Sequence, residues 1–362
     1  NWTDYYLFTF GCISLAFGVS IDIINIVTQP LAIVPVSPFA VLGLMFTDAI
    51  ILARKSARAH ATVETQALTL ERVSRAYYRF VPQAFLHLLG KQDITTVELG
   101  DQTQRTMTVL FADVRGFTTL SEKMTPEENF TFINRLLRDL GPLIRAHNGF
   151  IDKYMGDGIM ALFPQHPADA LRAACAMRQS LRRFNASRHA ARQPPIKIGI
   201  GLHTGSLMLG TVGEPERMDG TVIADAVNTA SRLESLTKRY GVTILASEDV
   251  IQQSGWSEER PMHIRPLGRV RAKGKSESIE LYEVFDDEAV VAGDSRTSTP
   301  PSSVSVPGED PLGDSAATLR LKQETRGDFA AGLRMFQEGR FAEARDLFAE
   351  IATLNSHDQP AS

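Results

Sequence analysis

Two long apolar runs at the start of the chain restrict its fold more than any feature that follows. Tyr5 to Val27 is almost entirely apolar, with Asp22 and Asn25 as the main exceptions, and Leu31 to Ala53 is a second such run with Asp48 near its end. Each spans about 23 residues, the length a helix needs to cross a bilayer core. Gln29-Pro30 separates them, so residues 1–53 read as a helical hairpin of two transmembrane spans. No basic segment precedes the first run, which argues against a cleaved leader. Arg54, Lys55 and Arg58 follow the second run directly, and the excess of positive charge assigns that end to the cytoplasm. Asp22 and Asp48 are costly at membrane depth and are expected to face other helices. The chain opens on Asn1 rather than Met, as a fragment or processed product would. A sensor on the far side would need an odd number of further spans upstream.

Beyond the membrane hairpin the pattern changes. Val63, Ala67, Leu70, Ser74, Tyr77 and Val81 recur at alternating spacings of four and three, the seam of a coiled coil. Residues 54–81 therefore read as a stalk that pairs two chains in parallel, and Pro82 ends or bends it. Residues 82–286 alternate strands and helices, which predicts an α+β domain with helices on a mixed sheet. "MTVLFADV" reads as a strand, 126–147 as an amphipathic helix, "DKYMGDGIMALF" as a hairpin and 167–190 as a helix. "IKIGIGLHTG" reads as a strand with "SLMLGTVG" pairing back on it. A helix over 224–240 and the strands "VTILAS" and "ESIELYEVF" complete the domain. Residues 287–325, rich in Ser, Pro, Asp and Gly, read as a disordered linker. Residues 326–356 read as two helices joined at Glu338-Gly339-Arg340, similar to one tetratricopeptide unit, which needs a neighbour to bury its face.

A net charge of −4 leaves no basic excess for phosphate backbones, so a nucleic-acid partner is not expected. The two cysteines, Cys12 and Cys175, fit neither a disulfide framework nor a zinc site.

The chemistry gathers around two acids in apolar surroundings. Asp113 stands where the strand Met107 to Ala112 stops, and Gly116 then lets the backbone turn so that N–H groups near Phe117 and Thr118 can face a bound anion. Asp157 sits at the tip of the hairpin between Gly156 and Gly158. If the two strands are neighbours, both carboxylates end on one sheet edge and repel unless a cation lies between them. Mg²⁺ suits such a place, because it takes few protein ligands and completes its shell with water and substrate phosphates.

"LFADVRGFTTLSE", "DKYMGDGIMALF", "GIGLHTG" and "DAVNTASRLE" resemble, in order, the successive motifs of the class III nucleotidyl cyclase catalytic domain. The likeness covers about residues 105–285, half the chain, and "VRAKGKSESIELYEV" is similar to the family's closing hairpin. The resemblance implies a ferredoxin-like mixed sheet flanked by helices, and two Mg²⁺ or Mn²⁺ ions per site held by Asp113 and Asp157. It implies that Lys153 and Thr221 read the purine, that Asn228 and Arg232 position the ribose and steady charge at the α-phosphate, and that Lys273 or Lys275 holds the triphosphate. In this family the metal acids face the purine and transition-state residues across a subunit boundary, so a homodimer is implied. Bacterial members often carry membrane spans and a helical stalk, which points to the bacterial inner membrane, multi-pass, with the catalytic domain in the cytoplasm.

Residue chemistry agrees. Asn228 and Arg232 are four apart on one helix and share a face, and a guanidinium offers two donors to phosphate oxygens at once. Lys153 could donate to adenine N1 or guanine O6 and does not choose between them. Thr221 can accept from the adenine N6 amine, although a hydroxyl also donates, and a Lys with a Thr at these positions resembles the bacterial adenylyl members of the family, which favours ATP. His203 in "GLHTG" is expected to be a structural strand histidine. The expected function is thus a membrane-bound adenylyl cyclase making 3′,5′-cyclic AMP and pyrophosphate by two-metal phosphoryl chemistry, regulated through the stalk. The rivals are a guanylyl cyclase and a catalytically silent membrane scaffold. The acids and the Asn/Arg pair are all present, against the scaffold.

Overall fold

A computed structural model of the chain describes residues 2–28, 35–78, 81–255, 262–271, 278–286 and 316–354. The chain divides into two units, residues 1–81 and 82–362.

The first unit is a pair of antiparallel helices, α1 (Trp2–Thr28) and α2 (Ser37–Tyr77). Both are long and apolar enough to cross a membrane. Asp22 has a local task. Its carboxylate accepts hydrogen bonds from the backbone N–H of Val36 (2.8 Å) and Ser37 (2.7 Å), satisfying donors that the start of α2 leaves open. Asp4 pairs with Arg58 at 2.8 Å and fastens the other end of the hairpin. The apolar run and the polar stalk form one continuous helix to Tyr77. Val63, Leu70 and Tyr77, on the predicted seam, are exposed in the single chain.

The second unit is built on an eight-stranded sheet. Its elements are α3 (Gln83–Leu88), β1 (Gln102–Val114), α4 (Phe117–Ser121), α5 (Pro126–Ala146), β2 (Phe150–Met155), β3 (Gly158–Phe163), α6 (Pro167–Ala190), β4 (Ile198–Glu214), β5 (Arg217–Ile223), α7 (Asp225–Tyr240), β6 (Ile244–Ser247), α8 (Glu248–Gln253), β7 (Met262–Arg271), β8 (Ser278–Asp286), α9 (Ala316–Glu324), α10 (Arg326–Gln337) and α11 (Phe341–Leu354). The strand order is β2-β3-β1-β4-β6-β8-β7, with β5 on the far half of β4. β4 and β6 run parallel and the other pairs antiparallel, so the sheet is mixed as expected.

Alternation along β6 separates two cores. Ile244 and Ala246 face the larger one, filled by Phe132, Leu136 and Ile144 of α5 and by Leu171, Met177 and Leu181 of α6. Leu245 between them points to the opposite face and meets Leu233 of α7, Phe329 of α10 and Ile351 of α11. A capping box at Thr125 and Glu128, with Pro126 in the first turn, starts α5 where the pattern predicted.

The structure departs from the sequence reading in three places. "IKIGIGLHTG" and "SLMLGTVG" are not two paired strands but one 17-residue strand, β4. Gly205 does not turn the chain, because β1 pairs along it without interruption from Val114↔Ile198 to Gln102↔Gly210. The strand that folds back is β5. The stretch read as linker contains α9, with Leu319 and Lys322 buried. The tail hairpin finds its neighbour in its own unit, since Phe329 and Ile351 bury against the second face of the sheet.

Candidate active site

β1 carries the first acid and the β2–β3 turn carries the second. The two strands are joined through β3, whose Ile159 pairs with Ala112, so Asp113 is drawn level with the turn. Gly158 is what permits this closeness. A Cβ there would stand 3.2 Å from Asp113 Oδ1 and 3.3 Å from the Ala112 carbonyl oxygen. The Asp113 and Asp157 carboxylates are near enough for each to act on the other's charge. Asp113 is open to solvent on one side and packed on the other. Loss of hydration, then the negative charge and hydrogen bond of Asp157, push its carboxyl up to about 6. Two such acids hold either a shared proton or a cation.

Gly116 takes a φ of +68° directly after this strand, a left-handed turn that starts α4. The Phe117 ring stacks on Phe132, with centroids 6.1 Å apart, and is anchored in the core. Its backbone N–H and that of Thr118 belong to the first turn of α4, where no preceding helical carbonyl can receive them.

A second pairing forms around the purine-reading candidates. Lys153 Nζ donates to Thr221 Oγ1 at 2.8 Å, joining β2 to β5 across 68 positions of sequence. Lys153 Nζ also lies 3.3 Å from Asp152 Oδ2. Phe85 of α3 braces β5 from behind, against Gly220.

Asn228 and Arg232 form a third group on α7. Both are exposed, one helical turn apart, while Thr229, Ala230 and Leu233 bury the other side of the helix. The seat of α7 depends on Gly201. A Cβ at that strand position would stand 2.2 Å from the backbone N of Glu234, so only glycine lets the helix lie this close to β4. Lys273 and Lys275 lie outside the described residues.

Glu234 was not singled out in the sequence. Its carboxylate lies over Gly199, where a Cβ would come within 2.7 Å of Oε1, and Gly199 pairs with Asp113 on the next strand. Burial first, then the charge of Asp113, push Glu234 up to about 7, with Arg115 acting against the shift. The site thus holds a third acid, although among the described residues no three His, Cys, Asp or Glu side chains converge to hold a metal ion. Two protein ligands with water and phosphate completing the shell remain the arrangement that fits Mg²⁺ or Mn²⁺. His203 is a buried strand residue whose Nδ1 is 2.8 Å from Ser247 Oγ.

The family model of the adenylate and guanylate cyclase catalytic domain matches residues 99–285. An adenylate cyclase of Anabaena cylindrica is 44% identical over 220 residues, which is 59% of this chain and 44% of that protein. Adenylate cyclase 1 of Rhizobium meliloti (strain 1021) is 35% identical over 184 residues, 49% of this chain and 27% of that one. The chain thus spans less than half the length of these curated relatives. Among solved structures, a bacterial light-regulated adenylyl cyclase superposes with a TM-score of 0.53 at 26% identity, covering 62% of this chain and 63% of that one. The match runs through every strand from β1 to β8 and takes in both acids, the Lys153–Thr221 pair and α7, and on it the chain belongs to the class III adenylate and guanylate cyclases.

Proposed function

We propose that this chain is a membrane-anchored adenylyl cyclase that converts ATP to 3′,5′-cyclic AMP and pyrophosphate at sites formed between two copies. The observation that carries the reading is the hydrogen bond from Lys153 Nζ to Thr221 Oγ1. It sets a cationic donor beside a hydroxyl acceptor, the complement of adenine N1 and its N6 amine. The named adenylate cyclases among the relatives support the same purine.

In the reaction the ATP 3′-oxygen attacks the α-phosphorus and pyrophosphate leaves, while the 3′-hydroxyl proton passes to solvent. Positioning and electrostatics do most of the protein's work in such a transfer. Lys153 and Thr221 fix the base. Asn228 orients the ribose, and Arg232 places two donors on the α-phosphate oxygens as charge builds there. The N–H groups of Phe117 and Thr118 and the ammonium of Lys273 or Lys275 donate to triphosphate oxygens. Asp113 and Asp157 would hold the Mg²⁺ or Mn²⁺ ions, which when bound supply Lewis-acid activation and charge balance.

A second copy is supported by the surroundings of the purine pair. Tyr154 and Met155 follow Lys153, Ile223 follows Thr221 by two, and all three are exposed, an apolar surface suited to burial against a partner. The unbroken run of α2 from the apolar segment to Tyr77 supports a stalk continuous with the second apolar span. The test is product analysis with the purified full chain, ATP or GTP, and Mg²⁺ or Mn²⁺. Cyclic AMP with ATP supports the reading. Cyclic GMP in its place assigns the chain to guanylyl cyclases, and no product with either nucleotide overturns catalysis.

A further inference from the structure

Successive residues of a strand point to opposite faces, so neighbours such as Asp152 and Lys153 should not meet. Here they do. The ladder between β2 and β3 pairs Phe150↔Leu162 and Ile151↔Ala161, then resumes at Lys153↔Met160 and Tyr154↔Ile159. Asp152 is the extra residue, a β-bulge one position before the purine-reading lysine. A bulge bends the strand and re-aims a side chain. It brings Asp152 Oδ2 to 3.3 Å from Lys153 Nζ.

The placement of the acid is costly. The Asp152 side chain is only 2% exposed, while that of Lys153 is 43% exposed. Oδ2 is buried and, among the described residues, has no partner in hydrogen-bond geometry. Burial pushes the Asp152 carboxyl up, and the Lys153 charge works against the shift. A buried carboxylate with an incomplete set of partners destabilises a fold unless a nearby cation offsets it. The bulge and the burial together form a built support for one ammonium group, which is then handed on to Thr221 Oγ1 at 2.8 Å.

We propose that Asp152 is a positioning residue that holds the Lys153 ammonium on Thr221, and so fixes the donor that reads the purine. This rests on the adenylyl cyclase reading above and adds a residue to it. Asp152 touches no substrate itself. Without its charge, Lys153 keeps four rotatable bonds and returns to water, and the donor reaches the base in fewer conformations. The loss falls on nucleotide affinity and on discrimination between purines, not on the transfer step.

The test is a double-mutant cycle on the full-length protein with Asp152→Asn, Lys153→Ala and both together. KM and kcat are measured for ATP and GTP. Asp152→Asn is expected to raise KM for ATP about tenfold with kcat within about twofold, as removal of one charged partner does. The ratio of kcat/KM for ATP over GTP should fall, and Asp152→Glu should restore part of it. In the Lys153→Ala background the Asp152→Asn step should have no further effect. An unchanged KM, or the same loss with and without Lys153, overturns the proposal. Asp152→Asn keeps the shape of the side chain. Should it not fold, Asp152→Glu carries the test through its displaced carboxylate, where a raised KM supports the role and an unchanged one removes it. Wild-type protein that makes no cyclic product sinks the adenylyl cyclase reading. Wild-type product with a flat KM in Asp152→Asn sinks the role of Asp152 alone.

Discussion

Lys322 of α9 reaches into the catalytic domain and donates to Glu283 of β8 at 2.8 Å, with both side chains 3% exposed. The same carboxylate takes Arg265 Nε at 2.6 Å, and the Arg265 guanidinium lies 4.6 Å from the centre of the Phe329 ring. One acid therefore joins β7, β8 and the C-terminal helices. Burial alone would raise the Glu283 carboxyl, but Arg265 and Lys322 overcome it and hold it down to about 2.

Replacing Glu283 by Gln removes the buried charge that Arg265 and Lys322 share. The expected cost is about 3–5 kcal/mol of stability, read by urea unfolding. Lys322→Met removes a single partner and leaves the Arg265 pair intact, so its cost should be clearly smaller. The pH dependence has a definite sign. A depressed carboxyl contributes stability above its unfolded value of 4.5, and that contribution is lost as pH falls from there through about 2. Glu283→Gln should flatten this acid limb, and a melting series over that window that leaves wild type and variant parallel would count against the triad.

The Asp113 carboxyl has the opposite sign. It is raised from 3.8 to about 6, so its stabilising protonated form is lost as pH rises through that interval. Metal-free wild type should lose melting temperature between pH 4 and 6, about the window those two values set, while Asp113→Asn should not. Added Mg²⁺ or Mn²⁺ should raise the melting temperature of wild type above pH 6 and leave the variant unmoved. Cyclase activity of Asp113→Asn should fall by about two orders of magnitude or more.

Shared sites can be tested by mixing. Asp113→Ala and Asn228→Ala chains should each be inactive alone. Co-expressed, they should regain activity through heterodimers that carry one intact site. Recovery that never exceeds the sum of the separate variants would rule out a site divided between two copies.

Gly201 separates helix seating from helix chemistry. Alanine there sets a methyl group 2.2 Å from the backbone N of Glu234 and must lift α7 from the sheet. Overpacking of this kind costs about 3 kcal/mol. Because α7 carries Asn228 and Arg232, kcat should fall more than KM rises. A stable Gly201→Ala protein with wild-type kcat would show that the height of α7 does not matter.

Much of this layout was legible in the residues. The hairpin tip could be read because Asp157 interrupts an apolar run between two glycines, and α5 because its apolar face repeats at helical spacing. Glu234 could not. An acid two residues beyond an exposed arginine reads as a solvated helix face, and only the bare glycine strand beneath it reveals burial. β4 was divided in the reading because Gly205-Ser206 looks like a break, and the strand that keeps it straight lies about a hundred residues upstream. α9 was hidden by composition, since it begins within a run of Ser, Pro, Asp and Gly. Lys153 and Thr221 were linked only by the family likeness, because nothing local connects β2 with β5.

The packing of Phe329 and Ile351 with Leu233 has a consequence for biosynthesis. The second face of the sheet is closed by residues that leave the ribosome after α7 and β8 are complete. A nascent chain halted after β8 already owns Asp113, Asp157, Asn228 and Arg232, yet Leu233 of α7 lacks the apolar neighbours that flank it on that face. Translation must pass through α10 and α11 before this face of α7 is covered, and a chain stopped between β8 and α10 keeps Asp113, Asp157, Asn228 and Arg232 but carries an uncovered greasy surface.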